Sequence, residues 1–415
     1  MAGGHDVLVI GGGPSGAACA YWLAEAGHDV LVVEKKRYPR EKTCGDGLTP
    51  RSVRQLHDMG LAAELAGHHR FDGLRSIAFG RTLELAWPDH PDYPSYGYVV
   101  TRKDLDHLVA ERAVKAGATL WQETEAVAPV MDAGLLRGAV VKHKDTGLTE
   151  AVRARYIVVA DGANSRFGRA LGTSRDRSYP LGMAIRGYYS SPRHDEPWIE
   201  SHLDIRDKDG NVLPGYGWIF PVGDGRINVG IGLLSTFKQW KGVNTSHLMA
   251  SFADYAPASW DIRPETSCGP PTGGKLPMAF SVAPRVGATH VVIGDAGGAV
   301  NPFNGEGICY AYETGRMAAD AVGVALDTGD GLALQDYKRR VTAEYELYYK
   351  VARAFVHIIG NPQLMRALVG TGMRSRTLME WVLRIMANLL RPDELGPAEA
   401  AYKAVAAIAR RAPAA

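Results

Sequence analysis

The strongest constraint on this chain lies in its first 34 residues. An apolar run, His5-Asp-Val-Leu-Val-Ile10, stops at Gly11-Gly12-Gly13-Pro14-Ser15-Gly16; a helical stretch reaches Ala26-Gly27, and a second apolar run, Val30–Val33, ends at Glu34. Strand, glycine turn, helix and strand in this order predict a parallel β-α-β unit. Gly11, Gly13 and Gly16 stand in GxGxxG spacing, which lets backbone close on a pyrophosphate where free N–H groups and the helix dipole favour an anion. Glu34, 18 positions after Gly16, can accept both hydroxyls of an adenosine ribose and repels a 2′-phosphate. A bare glycine turn is weak evidence. Its position between strand and helix, with the acid following, makes a dinucleotide site the expectation and Gly11, Gly12, Gly13, Pro14, Ser15, Gly16 and Glu34 its candidate contacts.

A second element decides which dinucleotide. Thr289-His-Val-Val-Ile-Gly-Asp295 reads as a late strand, and Asn301-Pro302-Phe303-Asn304-Gly305-Glu306-Gly307-Ile308 opens a helix predicted from about Gly305 to Ala325. Asp295 can bind a ribityl chain, while the helix N-terminus at Gly305, Gly307 and Ile308 can stabilise negative charge at a flavin N1/C2 carbonyl. A nicotinamide dehydrogenase has no use for this element. The chain is therefore expected to hold FAD.

Between the two elements lies Ile157-Val-Val-Ala-Asp161-Gly162-Ala-Asn-Ser165-Arg166, which resembles the Asp-Gly motif of the p-hydroxybenzoate-hydroxylase-like flavoproteins. That resemblance implies FAD contacts at Asp161, Gly162, Lys35, Val127 and Arg102, the last opening a helix predicted over 102–116. Thr43-Cys44-Gly45-Asp46-Gly47-Leu48-Thr49-Pro50 looks like the CGG-type segment of the geranylgeranyl reductase family, and Tyr216-Gly-Trp218-Ile-Phe220-Pro221 matches that family's YxWxFP signature. The resemblance covers about residues 5–330 and places Cys44, Gly45 and Asp46 beside the isoalloxazine ring. Two departures stand out: Cys-Gly-Asp-Gly replaces Cys-Gly-Gly, and Pro214 lies two residues before Tyr216 instead of three.

Strand alternation puts Tyr216, Trp218 and Phe220 on one face, as a wall for a long hydrocarbon or as sheet core. Gly230 and Gly232 on the return strand leave room for a ligand or another backbone. Cys44, Tyr216 and Trp218 are the candidate catalytic residues, with Cys44 either a participant or a packed flavin neighbour.

The expected architecture is α/β plus antiparallel β. A discontinuous Rossmann-type FAD-binding domain (1–73, 98–177 and 280–332) carries an inserted β-sheet substrate domain (74–97 and 178–279) and a helical C-terminal region (333–415). The four cysteines lie apart without metal-ligand spacing, which predicts neither disulfides nor a metal site. Net charge is +2, and no nucleic-acid partner is expected. The first apolar run breaks at glycines after six residues and is read as a strand, not a signal peptide. Six arginines (353, 366, 374, 376, 384, 391) stand against one acid, Glu380, between 351 and 391. The stripe Arg376, Glu380, Arg384, Asn388, Arg391 predicts a helix that either lies on an anionic membrane surface or packs on the substrate domain.

The resemblance implies an FAD-dependent reductase saturating an isoprenoid C=C bond, with the prenyl side chain of menaquinone as expected substrate. It would sit peripherally on the cytoplasmic side of the cell membrane and draw on an unidentified electron donor. Alternatives on the same fold are reduction of geranylgeranyl diphosphate or an isoprenoid glycerolipid, or aromatic hydroxylation. A halogenase is disfavoured because its WxWxIP motif is unmatched, and a non-enzymatic quinone- or lipid-binding role would leave the lipid unreduced.

Overall fold

The computed structural model describes residues 4–391, 394 and 396–411. Its first sheet is built on the strand His5–Ile10, which pairs in parallel with Val30–Val33 on one side and Thr149–Val159 on the other. Thr119–Trp121 extends the sheet beyond Val30–Val33. The strand Thr149–Val159 serves two neighbours on its far edge. Its first half pairs antiparallel with Leu135–His143, which turns back onto Thr124–Asp132, while Ile157–Val159 run parallel to His290–Val292. Val7, Leu8, Val9 and Val30 are fully buried, as expected where helices and loops cover both faces of a parallel sheet. Helix Pro14–Glu25 starts with proline in its first turn, where the missing N–H removes nothing.

The second sheet runs Thr272–Pro277, Leu181–Ser190, Arg226–Leu234, Gly215–Pro221, Trp198–His202, Gly73–Ala78, Arg81–Ala86, antiparallel except for the pairing of Trp198–His202 with Gly73–Ala78. Tyr216 stands opposite Gly232 and Trp218 opposite Gly230. The space at Gly230, expected to admit a ligand or backbone, is taken by the neighbouring tryptophan. A β-carbon on Gly230 would lie 2.2 Å from Trp218 Cζ2. A small sheet of Gly47–Leu48, Gly97–Val99 and His69–Phe71 ties the cysteine segment to the second sheet's flank.

The late helix begins at Ile308 and ends at Thr328, three residues later at each end than the sequence suggested. Gly305, with φ +75, keeps the preceding segment a loop. Helices Gln335–Ile359, Pro362–Gly372, Arg376–Met386 and Pro397–Arg411 follow. The predicted helix over 376–391 stops at Met386, and Asn388 turns the chain with φ 55. Met379, Leu383 and Leu389 are buried in a cluster with Phe71, Leu85 and Trp87, so much of its apolar face is protein core. No helix among the described residues is long and apolar enough to cross a membrane.

The Trp218–Gly230 contact yields a stability prediction. Gly230→Ala should cost about 1–3 kcal/mol through overpacking. Thermal unfolding should show a lowered midpoint, and an unchanged one would mean that Trp218 moves freely aside.

Candidate active site

The glycine turn has the shape an anion needs. A β-carbon on Gly16 would lie 1.9 Å from Gly11 O, so this helix end requires glycine, whereas the nearest atom to a β-carbon on Gly13 is Arg40 Nη2 at 3.8 Å. Helix Pro14–Glu25 has no side-chain cap, leaving its first N–H groups for a ligand. Glu34 is buried at the end of its strand; its Oε2 accepts the Gly12 N–H at 3.0 Å and its Oε1 the Lys36 N–H at 3.0 Å. A carboxylate offers about four acceptor positions, so ribose hydroxyls can still be accommodated. Lys35 is exposed, and Val127 lies half-exposed on the hairpin strand.

Arg102, which the resemblance assigns to FAD, is also held within the protein. Its guanidinium bonds Asp106 through both oxygens, at 2.6 and 2.8 Å, and its backbone N–H reaches Asp46 Oδ1 at 3.2 Å. Arg40 joins the same buried carboxylate at 2.9 Å and approaches Glu34 at 3.3 Å. Sequence reasoning missed Arg40 and Asp106. The signal was present in the i,i+4 spacing of Arg102 and Asp106.

The second half supplies open acceptors. Asp161 Oδ2 accepts the Phe167 N–H at 3.0 Å, while its Oδ1 is sealed from solvent without a partner. Asp295 lies against Gly307, where a β-carbon would sit 3.4 Å from its Oδ1. No hydrogen bond to the Asp295 carboxylate is found among the described residues. Burial raises its pKa, with Lys42 and Arg102 opposing. Helix Ile308–Thr328 begins at Gly307 without a side-chain cap. Two uncapped helix ends, an orphaned buried oxygen and a free carboxylate fit the pyrophosphate, hydroxyls and flavin carbonyl of FAD.

The aromatic ladder faces the cysteine segment. Ring centroids of Tyr216 and Trp218 are 5.9 Å apart and those of Trp218 and Phe220 6.3 Å, and a β-carbon on Gly45 or Gly47 would lie 3.1 Å from the Phe220 ring. Trp218 Nε1 donates to Asn228 Oδ1 at 2.9 Å; Asn228 Nδ2 donates to Cys44 O at 2.9 Å and Asp46 Oδ2 at 2.7 Å. Tyr188 Oη donates to the same Asp46 oxygen at 2.5 Å. Asp46 adopts φ 67, a conformation glycine would take without strain, so the departure from Cys-Gly-Gly adds a buried, fully hydrogen-bonded carboxyl. Burial pushes the Cys44 thiol up, with Arg102 partly opposing. It is a protonated thiol at neutral pH. Tyr216 Oη donates to Asn304 O at 2.6 Å, and burial keeps the phenol neutral.

Three further groups were not legible as site residues. Glu306 accepts from Thr49 Oγ1 at 2.5 Å. Arg51 and Glu313 form a buried two-bond pair at 3.0 and 2.9 Å, with Tyr345 Oη donating to Glu313 at 2.5 Å. Arg51 Nη1 also donates to Asn388 O at 3.1 Å, and Asn301 and Asn304 each donate to Met386 O at 3.1 Å. The end of helix Arg376–Met386 is thereby clamped to the loop that opens helix Ile308–Thr328.

This geometry defines an FAD-binding flavoprotein, and comparison with known proteins agrees. The FAD binding domain family matches residues 4–214. The chain is 40% identical over 389 residues to the menaquinone reductase of Mycobacterium tuberculosis (strain ATCC 25618 / H37Rv), spanning 94% of this chain and 92% of that protein. It is 31% identical over 353 residues to digeranylgeranylglycerophospholipid reductase 2 of Methanopyrus kandleri, covering 84% of each. A geranylgeranyl bacteriochlorophyll reductase-like structure from Thermoplasma acidophilum shares the fold, with a TM-score of 0.79, 22% identity and coverage of 97% and 99% of the two chains. The chain belongs to the geranylgeranyl reductase family and is an FAD-dependent oxidoreductase.

Asp46 gives a pH test. Burial raises its pKa from 3.8 to about 6, only partly offset by Tyr188, Arg186, Asn228 and Arg102. A raised carboxyl stabilises the fold below the unfolded pKa, and that stability is lost as pH rises through the folded one. Asp46 should therefore contribute roughly 2 kcal/mol less at pH 7 than at pH 4, at up to about 1.4 kcal/mol per pH unit. Subtracting the unfolding free energies of Asp46→Gly from wild type should reveal this slope between pH 4 and 6. A flat difference would mean the carboxyl titrates normally.

Proposed function

We propose that this protein saturates an isoprenoid C=C bond in the prenyl side chain of menaquinone. The observation that carries the reading is 40% identity across 94% of the chain to a menaquinone reductase, with the Cys44 segment and the YxWxFP strand joined in one hydrogen-bonded unit. Bound FAD supplies the two electrons and the hydride equivalent, delivered to it by an electron donor yet to be identified. The chain's own residues orient an isolated alkene, a poor hydride acceptor, and exclude water from it. Trp218, fixed by Asn228 and Gly230, offers a rigid apolar wall, and Tyr216, anchored on Asn304, sets its inner end. An isoprenoid glycerolipid is the second reading, favoured by the 31% identity to the Methanopyrus kandleri enzyme. Aromatic hydroxylation is weaker, because both family motifs favour the reductases.

Anaerobic incubation of the dithionite-reduced, FAD-loaded protein with menaquinone should add two hydrogens to the lipid by mass spectrometry. Lipid of unchanged mass, with a glycerolipid reduced instead, would transfer the assignment to the second reading.

Peripheral contact with the cytoplasmic face of the membrane belongs to the same proposal, with its centre one helix before the segment 376–391. Ile358, Leu364, Leu368 and Leu378 are exposed at 47%, 49%, 49% and 37%. Exposed Arg366, Arg374 and Arg376 flank them. Leu364 and Leu368 are one helical turn apart on Pro362–Gly372, and apolar side chains among arginines suit an anionic bilayer surface. The double variant Leu364→Glu/Leu368→Glu should keep FAD and lose sedimentation with phosphatidylglycerol-containing liposomes. Undiminished sedimentation would place the contact elsewhere.

A further inference from the structure

Of the two glycines on the return strand, Gly230 is covered by Trp218 and Gly232 is open. A β-carbon on Gly232 would meet nothing closer than 3.9 Å, from Met183 O and Tyr216 Cε1. Ala184 pairs with Gly232 on one side and with Gly274 on the other, where a β-carbon would meet nothing closer than Thr43 Cβ at 3.7 Å. The three smallest side-chain positions of the sheet's aromatic face thus lie side by side. Tyr216, opposite Gly232, ends the row. The loop at Gly305 approaches from above, since a β-carbon there would lie 3.5 Å from Tyr216 Oη and 3.7 Å from Leu276 Cδ1.

A cation stands beside this floor. Arg186 is two residues from Ala184 on the same strand and therefore on the same face. It is 4% exposed and stands opposite Gly230, with Trp218 one strand further on. Two strand spacings put its backbone about 10 Å from that of Trp218. The guanidinium is fixed over the Tyr188 ring, 4.3 Å from the centroid. Its Nη2 donates to Glu41 Oε2 at 2.9 Å and to Lys42 O at 3.3 Å. Nε is sealed from solvent and has no partner. Nη1 has no hydrogen bond among the described residues and, unlike Nε, is not sealed. A guanidinium has five N–H donors, and here only one nitrogen is engaged, chiefly by a carboxylate whose side chain is 58% exposed. A buried cation with unspent donors is costly unless an oxygen acceptor reaches it.

We propose that Arg186 anchors the polar head of the prenyl lipid through an oxygen acceptor, a quinone carbonyl in menaquinone, so that the double bond reduced is counted from the head. The inference rests on the reductase reading above and adds to it what fixes the position of reduction. A head held at Nη1 lets the first part of the hydrocarbon lie over Ala184 and Gly232, between Trp218 and Tyr216. The hydrogen bond from a charged donor is directional and stronger than a neutral one, whereas a hydrocarbon on an apolar floor can slide. Gly232 is the matching specificity residue, because any larger side chain there occupies the floor.

Tandem mass spectrometry of menaquinone after a single turnover with dithionite-reduced, FAD-loaded protein tests this. Wild type should add two hydrogens at one double bond. Arg186→Leu should bind FAD with an unchanged flavin spectrum and spread the two hydrogens over several double bonds. Its half-saturating menaquinone concentration should rise roughly 10- to 100-fold, as expected for a lost hydrogen bond from a charged donor. One position and an unchanged half-saturating concentration in Arg186→Leu would overturn the proposal. Should that variant fail to bind FAD, wild type alone decides. A polyprenyl hydrocarbon without a head group should be reduced at scattered positions or not at all, and reduction at one position would count against the anchor. Gly232→Leu should keep FAD and lose turnover, and full activity there would remove the floor from the site. A wild type that leaves menaquinone unreduced fails the functional reading and not the anchor. The same Arg186→Leu comparison on an isoprenoid glycerolipid, where the acceptor is a phosphate oxygen, then decides the anchor.

Discussion

One buried amide holds the site together. Asn228 is fully buried, accepts the indole N–H of Trp218, and spends its own N–H groups on Cys44 O and the Asp46 carboxyl. It thereby joins a strand of the second sheet to a segment 184 residues earlier in the chain. Replacing it with an apolar residue would strand several buried polar partners, each at about 1–3 kcal/mol. The aromatic signature and the cysteine signature look independent in sequence. In three dimensions they are the two ends of one hydrogen-bonded unit, with the asparagine between them.

The buried carboxyls around this unit fall into two kinds. Asp106 and Glu313 are gripped by arginines, Asp106 by Arg40 and Arg102 and Glu313 by Arg51. Removing one partner from such a pair typically costs 3–5 kcal/mol, because the other charge stays buried. Asp46, Asp295 and Glu306 have no such two-bond arginine partner, and burial raises the pKa of each. The paired acids stand behind the cofactor loops and fix backbone. The others stand within the loops themselves, where burial favours the neutral form.

Much of this was readable beforehand, and the gaps have physical causes. The β-α-β unit, the late strand and the aromatic alternation are periodic and local, so they appear in the chain as patterns. The Arg51–Glu313 and Asn228–Asp46 contacts are separated by 262 and 182 residues, and no local periodicity marks them. Gly230 was legible as a site of close approach, but not which atoms would approach. Arg102 was singled out by resemblance, which carried no sign of its two-bond pairing with Asp106. Helix 376–386 shows the limit most clearly. Its composition suits a membrane face and a core face equally, and only the buried Met379 and Leu383 against Trp87 separate them.

That helix also explains why the C-terminal region belongs to the site. The last carbonyls of any helix lack partners within it. Here Met386 O receives Asn301 and Asn304, Asn388 O receives Arg51, and Tyr348 Oη lies 2.9 Å from Ile385 O. Asn301 and Asn304 belong to the loop that opens helix Ile308–Thr328, and Arg51 is the cation that neutralises Glu313. One helix end thus braces the loop carrying Glu306 and touching Tyr216. On the proposed membrane reading, the exposed Leu364 and Leu368 lie on the helix immediately before it. The proposed lipid-facing surface and the loop that meets Tyr216 are then separated by a single packed helix.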